Sequence, residues 1–276
     1  MLSALEPVFT RIGAAGARAL RVHAVRARPA RPEIPFPVVL VHGAIISGRY
    51  MRPTLRRLGL HAECWAPDLP GQGRSSTPPR QLDLPEYAEA LVAWMDSVGL
   101  ERALLVGNSF GSQVIAHVAE RHPERALGLV LVGPTVDMRA RRFLAQVWRV
   151  LVDAFHERFS LWLLELADMI RMGPVRMAAM VRVTLADRIE EVLPGVRAPV
   201  LVVRGELDTL SQPDWCAYLA GLARAPAVIE VPGASHGLNY DAPEALTAIV
   251  LAFARELASS VTPATGAAPA TPAIRG

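Results

Sequence analysis

The stretch Ala103-Leu104-Leu105-Val106-Gly107-Asn108-Ser109-Phe110-Gly111-Ser112-Gln113-Val114-Ile115 constrains this chain more than any other. It opens with a continuous apolar run, the mark of a strand buried on both faces, and Val114, Ile115, Val118 and Ala119 then recur at helical spacing. Between the two, Gly107-Asn108-Ser109-Phe110-Gly111 is a G-x-S-x-G pentapeptide at a predicted strand-to-helix junction, the context that this motif requires. A sharp turn there strains the serine backbone and would bring Cβ atoms two residues to either side into collision, so both flanking positions are glycine. The turn holds the Ser109 hydroxyl at a helix N-terminus, where free N–H groups favour a developing anion. A nucleophile so placed needs a base and an acid from elsewhere in the chain.

Other short apolar runs repeat the strand pattern, each followed by loop residues that carry chemistry. Leu20–Arg26 alternates apolar and polar side chains and reads as a half-exposed edge strand, with His23 on its surface. A proline-rich connection follows, then Val38-Val39-Leu40-Val41 as an interior parallel strand ending at His42-Gly43-Ala44. Gly43 lets the backbone bend so that the next N–H points beyond the strand's carboxyl end, where ligands bind in open α/β sheets. A helix is predicted over Arg49–Leu60 and a strand over Glu63–Pro67, the latter leading into Asp68-Leu69-Pro70-Gly71-Gln72-Gly73-Arg74-Ser75. That loop lacks the lysine of a phosphate-binding loop and the third glycine of a dinucleotide turn, so it reads as a tight structural loop. Asp83-x-x-Glu86 predicts a capping box opening a helix that stops near Gly99. Leu127–Val132 is another buried strand, ending at Gly133-Pro134-Thr135.

From Val136 to about Val196 the alternation stops. Apolar residues such as Trp148, Leu151, Phe155, Phe159, Trp162, Leu163 and Leu166 recur every three or four positions, which predicts two to four amphipathic helices. Their methionine and aromatic content suggests an adaptable apolar pocket wall. Strands resume at Pro199–Arg204, leaving Asp208 just past the end, and at Ala227–Val231, followed by Gly233-Ala234-Ser235-His236. Ser211-x-x-Asp214 is read as opening a helix between them, and Asp241-x-x-Glu244 as capping a final helix to about Leu257.

Composition excludes several classes. Of 276 residues, 29 are basic, all arginine, against 26 acidic, and no basic block interleaves with aromatics as nucleic-acid binding requires. Cys64 and Cys216 are far apart and make neither a metal-ligand spacing nor a disulfide framework, so no cofactor or metal is expected and a reduced, cytoplasmic setting fits. Glu6, Pro7 and Arg11 interrupt any signal-peptide core, and no apolar run reaches membrane-spanning length.

Ser109, Asp208 and His236 thus fall at the carboxyl ends of predicted parallel strands, in the order Ser, Asp, His. Serine is a poor nucleophile until a histidine takes its proton, and the histidine needs a carboxylate to fix its tautomer. With His42-Gly43, Asp68-x-Pro-Gly-x-Gly-x-Ser75, the elbow at 107–111, Arg204-Gly-Glu-x-Asp208 and Gly233-x-Ser-His236, the chain resembles the α/β-hydrolase fold superfamily from about residue 20 to 257. The resemblance implies an α/β fold, a mostly parallel central β-sheet flanked by helices, with a helical cap inserted after the strand ending near Gly133. It implies a hydrolase core (20–136 and 197–257) and a cap or lid (137–196), preceded by an N-terminal arm (1–19); residues 258–276, rich in Ala, Pro, Thr and Ser without apolar periodicity, are expected to be a disordered tail.

The resemblance further implies Ser109 as nucleophile, His236 as base and Asp208 as acid, with backbone N–H groups of Ala44 and Phe110 as the oxyanion hole. Asp137 stands as an alternative acid, because some relatives use that position. Serine at 109 argues against haloalkane dehalogenases and epoxide hydrolases of this fold. The expected activity is serine hydrolysis of an ester or thioester of an apolar small-molecule acyl substrate. Alternatives are a C–C bond hydrolase of the meta-cleavage product type, whose elbow Gly-Asn-Ser-Phe-Gly resembles, and a non-catalytic ligand receptor. Oligomeric state, a homodimer included, is left open.

Overall fold

A computed structural model of the chain describes residues 2–13, 19–225 and 227–261. Eight strands form one sheet: β1 (Glu6–Ile12), β2 (Leu20–Ala27), β3 (Val38–Val41), β4 (Cys64–Pro67), β5 (Ala103–Asn108), β6 (Ala126–Val132), β7 (Val200–Gly205) and β8 (Val228–Val231). Their spatial order is β1-β2-β4-β3-β5-β6-β7-β8. β1 and β2 pair antiparallel, β2 runs antiparallel to β4, and the rest are parallel neighbours. The described helices are α1 (Arg52–Leu58), α2 (Leu84–Ser97), α3 (Phe110–Arg121), α4 (Phe143–Ala154), α5 (Phe159–Met172), α6 (Pro174–Ala186), α7 (Ile189–Val192), α8 (Pro213–Leu222), α9 (Leu238–Asp241) and α10 (Pro243–Val261).

The Val/Leu runs sit at the centre because only there are both faces covered. Val39, Val41, Leu105, Leu129 and Leu131 face a core shared with α2 and α3. Their neighbours Val38, Leu40, Leu104, Val106 and Val130 face the opposite core, shared with α1 and α10. The two-residue period of a strand feeds both layers from one continuous apolar segment. The α2 capping box forms as read: Glu86 N donates to Asp83 Oδ1 at 2.9 Å and Asp83 N to Glu86 Oε2 at 3.0 Å, a device worth about 1 kcal/mol.

Four local expectations change. Glu6–Ile12, assigned to the arm, is an edge strand, so β2 lies inside the sheet. His23 is therefore buried, its Nδ1 2.8 Å from Asp68 Oδ2. Ser211 does not cap α8; its hydroxyl donates to Pro134 O at 3.0 Å and Gln212 precedes the helix instead. The last helix continues to Val261 rather than stopping at 257, and residues 262–276 of the tail lie outside the described residues.

Between β6 and β7 the chain is helical, with no strand among the described residues. Here the expected apolar wall forms in part, from Val150, Met169, Val181 and Leu185, but the large aromatics do not join it. Trp148, Phe155, Phe159 and Trp162 are exposed, whereas Asp153, Glu157 and Glu165 line the central cavity. Positions 153 and 155 differ by two residues, about 200° on a helix, so they occupy opposite faces. Spacing alone marks a helix as two-sided without saying which side faces inward.

Candidate active site

The site grows from the β5–α3 junction. Ser109 has φ 55° and ψ −118°, an unfavoured conformation for a residue with a side chain. The Ser109 amide donates to Val132 O at 2.9 Å, pinning the turn to β6. A Cβ on Gly107 would overlap the Gly111 carbonyl carbon, and one on Gly111 would overlap Val41 O. Both flanking glycines are thus sterically required, as the motif predicts. Phe110, the first residue of α3, has an amide with no intrahelical acceptor. Ala44, on the loop after β3, lines the same cavity as Ser109.

Asp208 and His236, on loops after β7 and β8, are brought together. His236 Nδ1 lies 2.9 Å from Asp208 Oδ2. Asp208 Oδ1 accepts from Leu210 N and Ser211 N, each at 2.9 Å, so the carboxylate is fixed at both oxygens. Gly133 has φ +51°, and a Cβ there would lie 2.9 Å from Asp208 Oδ2 and 3.0 Å from His236 Nδ1, which only glycine avoids. Ser109 Oγ meets Thr135 Oγ1 at 3.2 Å, and among the described residues no hydrogen bond joins it to His236. Both nonetheless border one cavity of about 210 Å³.

Asp137 is placed differently. Its carboxylate is buried and held by Arg149 Nη2 at 3.1 Å and by Arg139 Nε at 3.2 Å. It is the Asp208 carboxylate, not that of Asp137, that contacts His236.

A second layer was not foreseen. Gly43 N donates to Tyr50 Oη at 3.0 Å, and Tyr50 Oη donates to Asn108 Oδ1 at 2.5 Å. Asn108 Nδ2 in turn donates to His236 O at 3.1 Å. One buried chain of hydrogen bonds thereby joins the Ala44 loop, the elbow and the His236 loop. Asp153 on α4 adds another tie, its Oδ2 accepting from His236 N at 3.2 Å and its Oδ1 from Thr209 N at 3.1 Å. On α5, Asp168 Oδ2 accepts from Ser47 N at 3.0 Å and from Ser47 Oγ at 2.6 Å. Nothing in spacing flags these carboxylates, because acids on an amphipathic helix ordinarily mark its wet face. His42 is a structural bonder: its Nδ1 is 2.8 Å from Gly43 O and its Nε2 accepts from Leu69 N at 2.9 Å.

The cavity's electrostatics are acidic. Burial pushes the Glu157 and Glu165 carboxyls well above their ordinary range. Negative neighbours add to the effect, Glu165 at Glu157 and Asp153 at both. Asp153 is raised too, first by burial and then by the charge of Asp208. Burial opposes the charged form of His236, but Asp208, Asp153 and Glu157 outweigh it and lift the imidazole to about 9. Among the described residues no His, Cys, Asp and Glu cluster is arranged to hold a metal ion, and no helix is long and apolar enough to cross a membrane.

A doubly covered parallel sheet with a serine elbow and a paired Asp–His at its carboxyl edge defines the α/β-hydrolase class. The match of residues 38–249 to the model of the alpha/beta hydrolase family shows that the chain belongs to that family. It is 34% identical over 102 residues to a 2-hydroxymuconate semialdehyde hydrolase of Pseudomonas sp. (strain CF600), covering 36% of this chain and 36% of that one. It is 34% identical over 124 residues to lipase LipV of Mycobacterium tuberculosis, covering 45% and 44%. The chain thus spans less than half the length of these curated relatives. A thermophilic esterase from Thermogutta terrifontis shares the fold with a TM-score of 0.72 at 22% identity, covering 91% of this chain and 99% of that one.

Proposed function

We propose that the chain is a serine hydrolase that cleaves a carboxylic ester or thioester of an apolar, small-to-medium substrate through an acyl-enzyme. The observation that carries this reading is Ser109 on a strained elbow, bordering the same cavity as His236, whose Nδ1 is held by Asp208. With Nδ1 committed as donor to Asp208, Nε2 is left as the acceptor for the Ser109 proton once Ser109 Oγ exchanges Thr135 for the imidazole. Oγ then bonds to the carbonyl carbon, and the oxygen's negative charge is received by the Ala44 and Phe110 amides, each worth a factor of about 10²–10³ in rate. Collapse expels the alcohol or thiol, which takes the proton from His236. Water repeats the sequence on the acyl-serine and returns a carboxylic acid and free Ser109. In this reading residues 137–196 are the cap that encloses the substrate, and the chain works without a metal or cofactor.

The test is turnover of p-nitrophenyl esters of rising acyl length by wild type and Ser109→Ala. Wild-type turnover lost in the folded variant, together with fluorophosphonate labelling of Ser109, is the expected result. Turnover retained by Ser109→Ala overturns it.

A second reading, C–C bond hydrolysis, is favoured by the likeness to the 2-hydroxymuconate semialdehyde hydrolase. The cavity speaks against it. A muconate carries a carboxylate, and the described residues that line the cavity include Asp153, Glu157 and Glu165 but no arginine.

A further inference from the structure

The outer surface of the β6–β7 helices has no account in the chemistry above. On α4 and its end, Leu144, Trp148, Leu151 and Phe155 are exposed, Trp148 by 68% and Phe155 by 88%. On α5, Phe159, Trp162, Leu166 and Ile170 repeat the pattern, Phe159 and Ile170 each by 74%. Each set follows one helical stripe of about three turns, and each lies opposite a stripe that faces the cavity or core, namely Gln146, Asp153 and Glu157 on one side and Leu161, Glu165 and Asp168 on the other. Isolated exposed apolar residues need no explanation, but two aligned stripes rich in Trp and Phe do.

Charge is sorted the same way. Between residues 142 and 172 the exposed ionic side chains are Arg142, Arg158 and Arg171. Every acid in that stretch is buried or half-buried: Asp153, Glu157 and Glu165 line the cavity and Asp168 is bound to Ser47. The outward face is therefore apolar and aromatic with cationic edges and no exposed carboxylate. This is the pattern of a helix that lies in a membrane interface, with Trp and Phe at the headgroup boundary and arginines on anionic lipid. Neither helix is long enough to span.

We infer that the α4–α5 face docks on an anionic lipid surface, lying on the membrane rather than crossing it. The inference rests on the surface of these helices and not on the proposed hydrolysis, so either can fail without the other. Docking would place the substrate cavity directly behind a lipid-bound face.

The experiment is vesicle flotation of the full chain carrying Ser109→Ala, so that turnover cannot change the lipid. Vesicles of pure phosphatidylcholine are compared with vesicles in which phosphatidylglycerol replaces part of it. Expected is binding to the anionic vesicles, weakened by salt, with a blue shift of tryptophan emission. Trp65, Trp94 and Trp215 are already buried, so the shift reports Trp148 and Trp162. Phe155→Ser and Phe159→Ser should each lower the partition coefficient about tenfold, and Arg158→Gln and Arg171→Gln about fivefold each. These side chains are on the surface, so the variants fold. Absence of binding to either vesicle overturns the inference. So does a dimer by light scattering that Phe155→Ser splits while vesicles leave it untouched, because the face would then belong to a second copy of the chain.

Discussion

His236 has its imidazole surrounded by carboxylates, and its behaviour with pH follows from them. Below its ordinary value of 6.5 the ring is charged whether the chain is folded or not, so its attraction to Asp208 contributes fully to stability; that contribution fades as pH rises through about 9. The proposed reaction needs the neutral ring, so kcat/KM should climb with pH toward the same value. Asp208→Asn should cost roughly 10⁴ in kcat on a p-nitrophenyl ester, because the tautomer is lost. Asp137→Asn should leave kcat within about tenfold and instead lower stability by about 2 kcal/mol, through its pairing with Arg149. Steady-state kinetics and denaturant melts of the two variants separate these effects; equal losses of kcat would remove Asp208 from its role. Ser109, Asp208 and His236 were legible in the sequence because each requirement is local: a glycine-flanked turn, or a loop just past an apolar run. Tyr50, Asn108 and Asp153 were not, since their partners lie on other elements and only folding brings them together.

Elements follow a similar division. The central strands were readable because a strand buried on both sides must be continuously apolar. β1 was missed because Glu6-Pro7-Val8-Phe9 is an exposed edge with little apolar signal, and His23 was misplaced as a result. In the β6–β7 helices the period was evident and the facing was not. Their inward carboxylates carry a cost that can be measured. Glu157 is shifted from 4.5 to about 8, so between those values the unfolded chain ionises while the folded one resists, and stability falls as pH rises. Glu157→Gln should therefore raise the melting temperature near pH 8 and leave it unchanged near 4.5. Thermal scans at both ends decide the matter, and an equal shift at both would mean that packing rather than charge is responsible.

At the scale of the whole molecule, a chain of formal charge +3 gathers three carboxyl groups, Asp153, Glu157 and Glu165, along an otherwise largely apolar cavity. A neutral p-nitrophenyl ester should be preferred over one ending in a carboxylate by at least about tenfold in kcat/KM at alkaline pH, where the cavity acids ionise. Equal rates for the pair would show that the acids do not reach the substrate. The sheet, its two cores and the line of loops along one edge were readable together because each strand obeys the same rule. Which way the helices above that edge face depended on tertiary ties such as Asp168 to Ser47, and those leave no periodic trace.

One of these ties has a mechanical result. The carboxylate that accepts from the His236 amide belongs to Asp153, on α4, so a helix that lines the cavity also holds the backbone of the proposed base. In the proposed hydrolysis, wall and base thus share one strut, so a change that shifts α4 also shifts the loop that carries His236.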